Sequence, residues 1–185
     1  MEESRALELM ERAGVLLHGH FVYTSWKHGH VYVNKDRIYR NPIICSELCY
    51  GIAEELMDRG IEIIVGPEKG GIILSHDGFV LKREYDEAVA GKQVGIVEDI
   101  LNTGGSARKT VETVRRYGGH VVAVGALWNR GDVTAAMVGN VPELVSLVNK
   151  RFPAWDESEV PADLWKIPIN TNVGKGKEYL ARQTV

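Results

Sequence analysis

The sequence predicts an α/β fold in which a central, mostly parallel sheet is flanked by helices. Three observations carry that expectation. The segments "IEIIVGP", "KQVGIVEDI" and "HVVAVGALWNR" are almost continuously apolar, as strands covered on both faces must be. Segments of helical periodicity alternate with them, which is the pattern of strand, crossover and parallel strand. Glycine-rich loops follow two of the strands, and ligands of such sheets bind beyond the carboxyl ends of the strands. A chain of 185 residues is long enough for one such domain with a full core.

Each element has a local reason. "SRALELMERAG" places Leu7 and Met10 on one face and meets Gly14 where a helix would stop, so a short amphipathic helix is expected. "HFVYTS" and "HVYVNK" are β-rich runs separated by "WKHG", which suggests a hairpin. "RNPIICSELCYGIAEELMDRG" is the clearest helix, with Asn41 as N-cap, Pro42 at the first helical position and Gly60 just past the end. Cys45 and Cys49 share one face of it; their spacing is unlike the paired clusters of structural zinc sites, and they read as buried thiols. "GFVLKREY" alternates and reads as a more exposed strand. In "SARKTVETVRRYGG", Val111, Val114 and Tyr117 fall on one helical face and Gly118 and Gly119 close it. "PELVSLVN" reads as a last strand and "NVGKGKEYLARQ" as a terminal helix.

Composition excludes several classes. With 22 basic and 25 acidic residues the formal charge is -3, so there is no bulk positive field for a nucleic-acid backbone. No apolar run approaches the roughly 18 residues of a membrane span, and "MEESRALELMERAG" is too acidic for a signal or transit peptide. A cytoplasmic protein with neither membrane nor nucleic-acid partner is the expectation. Four histidines, His18, His20, His28 and His30, recur in "HGHFVY" and "HGHVYV". A hairpin could gather them around a metal, against the plainer reading of solvated or hydrogen-bonded imidazoles beside turn glycines.

The chemistry concentrates in "VGIVEDILNTGGS", Val94 to Ser106. A strand end delivers Glu98 and Asp99 to the rim of the sheet. Thr103 to Ser106 then precede a helix, so backbone N–H groups and hydroxyls form an anion cradle at its positive end. Together they suit a ligand with a phosphate at one end and hydroxyls or Mg²⁺ nearby. Neither a Walker loop nor a dinucleotide fingerprint occurs.

This thirteen-residue string resembles the phosphoribosyl pyrophosphate (PRPP) signature of type I phosphoribosyltransferases. The resemblance implies that Glu98 and Asp99 meet the ribose hydroxyls and that Thr103, Gly104, Gly105 and Ser106 hold the 5-phosphate, with Asn102 in the same loop. "VGPEKGG" resembles the family's pyrophosphate loop, assigning Glu68, Lys69, Gly70 and Gly71 to the leaving group and implying a non-proline cis peptide near Glu68 or Lys69. The likeness extends over nearly the whole chain to the orotate phosphoribosyltransferase branch. It implies a single domain over residues 1–185, with residues 1–40 and parts of the tail forming a small base-binding hood. Lys27, Tyr32 and Val33 would line the base. Where the branch has Ser-Gly-Arg/Lys-x-Ser-Pro, however, this chain has Ser25-Trp26-Lys27-His28-Gly29-His30.

The implied reaction transfers ribose 5-phosphate from PRPP to a nucleobase, most directly orotate, with Mg²⁺ as cofactor and few protein ligands to it. Lys69, Lys82, Arg83 and Asp99 are the candidate catalytic residues. The alternatives are a transferase for another base, purine or unusual pyrimidine, and a PRPP-sensing regulator. Members of the branch are usually homodimers. Only twelve residues separate Val65 from "GFVLKREY", fewer than a parallel crossover plus the pyrophosphate loop requires, so a deletion or an omission between Ser75 and Asp77 is expected.

Overall fold

The computed structural model describes residues 1–67 and 85–183. The expected pyrophosphate loop and its cis peptide, the break between Ser75 and Asp77, the strand over residues 78–84, and Lys82 and Arg83 all lie outside the described residues.

The chain divides into two compact units: residues 1–13 with 38–151, and residues 14–37 with 152–185. The larger unit is built on four parallel strands in the order β3-β4-β5-β6, namely β3 Ile63–Val65, β4 Gln93–Leu101, β5 His120–Asn129 and β6 Leu144–Asn149. Their register runs Ile63↔Val94, Ile96↔Val124 and Val124↔Leu144. A bulge opposite Val94 and Gly95 inserts one residue into β5. Beyond it, Val124 and Ala126 point to one face and Gly125 to the other.

Two helices cover the Gly125 face. Helix α1, Glu3–Arg12, packs on β6 and on helix α2, Pro42–Leu56, which lies along β5. The Asn41 side chain accepts the Ile44 N–H at 3.2 Å, so the N-cap falls where the sequence put it, and Gly60 adopts the left-handed conformation just past the end. The stripe of α1 is rotated from the expectation: Ala6, Leu9 and Met10 are buried, while Leu7 is only half-buried. Packing against two neighbours recruits residues that a two-residue reading of the face omits. Cys45 is buried and Cys49 half-buried.

The opposite face is covered by helix α4, Gly105–Arg116, whose Ala107, Val111 and Val114 close a core with Val94, Ile96, Val121, Val124 and Ala126. Tyr117 does not join that face. It sits after the helix ends, with non-helical dihedrals, and is exposed. Tyr85, read as the end of an exposed strand, instead opens the short helix α3, Tyr85–Val89, whose Val89 joins this core.

The smaller unit holds the expected hairpin. β1, Leu16–Val22, pairs antiparallel with β2, His28–Val33, starting earlier than the apolar pattern suggested. The tail returns to it, with Trp155 bridging His28 and Ile169 bridging His20. Helix α5, Ala162–Trp165, and helix α6, Gly176–Gln183, contact β1. The terminal helix was legible; the four-residue α5 was not, being too short to show a period.

Candidate active site

Strand alternation sends Glu98 to the face of Val94 and Ile96, and Asp99 to the face of Gly95, where Ile61 and Ile64 lie. Both carboxylates are buried, Glu98 at 6% exposure and Asp99 at 0%. A buried carboxylate must be hydrogen-bonded. Asp99 Oδ1 accepts the Ile100 N–H at 2.7 Å and Oδ2 accepts the Tyr39 hydroxyl at 2.8 Å. Glu98 Oε1 folds back to accept the Asp99 N–H at 3.3 Å. Tyr39 lies in the 3-10 turn Lys35–Arg40, and burial, then the negative charge of Asp99, pushes its ionisation far up. It remains a hydroxyl donor at any working pH.

After β4 the chain makes a tight loop. Asn102, Thr103, Gly105 and Ser106 are exposed, while Gly104 is buried with φ +74°. A Cβ at Gly104 would stand 2.9 Å from methyls of both Val133 and Val138. Glycine thus answers both the left-handed backbone and the missing space. Gly104 is also the N-cap of α4, so the N-cap residue offers no side chain to the first turn of that helix, and no acidic residue occupies that turn. Thr103 Oγ1 reaches only the Gly105 N–H, at 3.5 Å. Exposed donors at the positive end of a twelve-residue helix are suited to an anion.

A second loop, absent from the sequence reading, braces the first. The buried Asn129 at the end of β5 donates to the Val133 carbonyl at 2.8 Å and accepts the Val133 N–H at 2.9 Å. The turn so formed directs the N–H groups of Arg130 and Gly131 onto the Leu101 carbonyl, at 2.9 and 3.1 Å. The backbones approach so closely that a Cβ at Gly131 would be 1.6 Å from the Asn102 oxygen. "WNRGD" carried the only available signal, an Asn-x-Gly turn after a buried strand.

The larger unit therefore brings together Glu98, Asp99 and the loop of Asn102, Thr103, Gly104, Gly105 and Ser106. Glu68, Lys69, Gly70, Gly71, Lys82 and Arg83 lie outside the described residues. Lys27, Tyr32 and Val33 belong to the smaller unit. There the Lys27 ammonium pairs with Asp156 at 2.9 Å, Tyr32 packs its ring 5.6 Å from that of Phe21, and Val33 is buried. Trp26, in the hairpin turn, holds φ +65°, a conformation costly for a bulky residue, and carries the Arg182 guanidinium 3.7 Å above its ring.

The four histidines do not gather. His20 and His28 are fully buried, with His20 Nε2 2.8 Å from His28 Nδ1, whereas His18 is exposed and His30 lies against Phe152 and Trp155. Among the described residues no group of three or more His, Cys, Asp or Glu side chains could hold a metal ion.

Solved structures identify the fold of this parallel sheet. The crystal structure of an orotate phosphoribosyltransferase from Mycobacterium tuberculosis in complex with inorganic phosphate matches with TM-score 0.67 at 21% identity, covering 80% of this chain and 95% of that one. An adenine phosphoribosyltransferase from Thermoanaerobacter pseudethanolicus matches with TM-score 0.59 at 18% identity, over 77% of this chain and 99% of that one. The fold is that of the type I phosphoribosyltransferases.

Curated relatives narrow this further. An orotate phosphoribosyltransferase from Parvibaculum lavamentivorans is 32% identical over 91% of this chain and 95% of its own length, and one from Caldanaerobacter subterraneus is 30% identical over 91% and 96%. The chain belongs to the orotate phosphoribosyltransferase family. No family model matches it. Among the described residues no helix is long and apolar enough to cross a membrane.

Proposed function

We propose that this protein transfers ribose 5-phosphate from PRPP to orotate, giving orotidine 5′-phosphate and pyrophosphate in pyrimidine biosynthesis. The observation that carries this reading is the carboxylate pair at the end of β4 running into the uncapped start of α4, in a chain with orotate phosphoribosyltransferase relatives along nearly its whole length. Glu98 and Asp99 accept hydrogen bonds from the ribose hydroxyls. The N–H groups and hydroxyls of Thr103, Gly104, Gly105 and Ser106, with Asn102 beside them, hold the 5-phosphate.

Displacement at the anomeric carbon passes through an oxocarbenium-like state, so the protein's work is to orient the reactants and to stabilise the departing pyrophosphate. No covalent nucleophile is needed. The resemblance assigns Glu68, Lys69, Gly70 and Gly71 to that leaving group, and Lys69, Lys82 and Arg83 to offsetting its charge. Mg²⁺ would need few protein ligands here, as a hard, water-retaining ion does at a phosphate site. The ion, when bound, neutralises pyrophosphate charge while retaining much of its water. The base-binding hood is the segment the resemblance assigns, residues 1–40 with parts of the tail, and Lys27, Tyr32 and Val33 are its base-lining residues. The active form is a homodimer that works in the cytoplasm on small-molecule substrates, without nucleic-acid or membrane partners; the formal charge of -3 supports the absence of a nucleic-acid partner.

One observation favours a second reading, a different base. Trp26 with its stacked Arg182 stands where the branch has glycine, and this changes both the shape and the backbone freedom of the hood turn.

The chemistry is tested by following pyrophosphate release from PRPP and orotate, with and without Mg²⁺, in the wild type and in Glu98→Gln and Asp99→Asn. Release that needs Mg²⁺, and a PRPP KM raised about tenfold or more by either substitution, is the expected result, one charge-assisted hydrogen bond being worth that much. Unchanged PRPP kinetics in both variants would remove the carboxylates from the site.

A further inference from the structure

We propose that Tyr39 is a positioning residue for ribose recognition, a role that rests on the reading of Asp99 as a ribose-binding carboxylate. Tyr39 is sixty residues from Asp99 in the chain and outside the PRPP signature, yet its hydroxyl donates to Asp99 Oδ2 at 2.8 Å. The Ile100 N–H holds the other oxygen at 2.7 Å. Two donors on different oxygens fix not only where the carboxylate lies but also the rotation of its plane, and so the direction from which it meets a sugar hydroxyl. Each carboxylate oxygen can accept more than one hydrogen bond, so substrate can bind without displacing Tyr39.

The tyrosine is itself held in place. Ile38, immediately before it, is buried to 1% exposure, and the Asn41 N–H donates to the Ile38 carbonyl at 3.1 Å as the chain enters α2. The turn carrying Tyr39 is thereby tied to the helix whose cap follows it. A residue set between a buried neighbour and a backbone hydrogen bond into the next helix presents a well-placed donor, and preorganised donors of this kind are what orient a binding group. Because burial and Asp99 keep the phenol protonated, Tyr39 orients the carboxylate and takes no proton from substrate.

The test compares the wild type with Tyr39→Phe, Asp99→Asn and the double variant, measuring KM for PRPP, KM for orotate, kcat and thermal melting. It adds the 2′-deoxy and 3′-deoxy analogues of PRPP. Tyr39→Phe should raise the KM for PRPP about tenfold, the scale of one hydrogen bond to a charged group. The KM for orotate should stay within about twofold. The substitution should have little further effect in the Asp99→Asn background, as expected for two groups acting through one contact. It should also matter less for whichever deoxy analogue lacks the hydroxyl that Asp99 receives. Wild-type PRPP kinetics in Tyr39→Phe would overturn the inference, as would equal losses for both substrates accompanied by a lower melting temperature, or additive effects in the double variant. An Asp99→Asn enzyme with unchanged PRPP KM would instead overturn the reading beneath it.

Discussion

At the scale of single residues, Gly104 and Asn129 show how the loop proposed to hold the 5-phosphate is shaped. Gly104→Ala must strain a backbone at φ +74° and displace Val133 or Val138. It should cost about 1 kcal/mol or more in urea denaturation and raise the PRPP KM, because the loop cannot keep its shape. Asn129→Ala leaves the N–H and carbonyl of Val133 without their side-chain partner, a loss of about 1–3 kcal/mol. The PRPP KM should rise here too, even though Asn129 is outside the signature. A loss of stability with unchanged PRPP kinetics would show that the second loop does not brace the first. Gly104 was legible in the sequence because its role is local and repeated in a motif. Gly131 and Tyr39 were not, since their contacts with Asn102 and Asp99 arise from segments that only the fold brings together, and Asn129, which bonds locally to Val133, carried no signal beyond an Asn-x-Gly pattern.

At the scale of elements, the strands were read from their apolar runs because a parallel sheet buries both faces, and α2 from its caps because those are local. The second face of the sheet is less tolerant than its composition suggests. Leu56 and Ile52 of α2 stand 3.0 and 3.1 Å from where a Cβ on Gly125 would lie, so Gly125→Val should wedge the helix outward. A destabilisation of about 1–3 kcal/mol by urea denaturation is expected.

In the hairpin, His20 and His28 share a hydrogen bond, and the Ile167 carbonyl faces His20 Nδ1 at 3.2 Å. If both rings are neutral, this order makes Nδ1 the protonated nitrogen of each and leaves His28 Nε2 as a buried lone pair without a partner among the described residues. Burial lowers both ionisations; the charge of His20 further lowers that of His28, and Glu157 opposes it. The folded protein therefore binds fewer protons than the unfolded chain below pH about 6.5. The stability contribution is full above that pH and is lost as the pH falls below it. Trp26, Trp155 and Trp165 all belong to this unit, so tryptophan-detected melting from pH 8 to 5 should show a falling midpoint. His20→Phe with His28→Phe should flatten the slope; an unchanged slope would contradict the assignment.

At the scale of the whole molecule, the apolar strands and the PRPP signature specified the class and the loop after β4, while the proposed base-binding segment has a turn that departs from the branch. A motif that binds ribose and phosphate says nothing about the base, and Trp26 with Arg182 could be read only once the tail was seen to return to the hairpin. Assembly belongs to this scale as well, and sedimentation at assay concentrations should give twice the 20.5 kDa mass of the chain. The most direct measurement is steady-state pyrophosphate release with PRPP and Mg²⁺ across orotate, uracil, adenine, guanine, hypoxanthine and xanthine. The account predicts turnover with orotate and none comparable with the other bases. Turnover with a different base and not with orotate would contradict it.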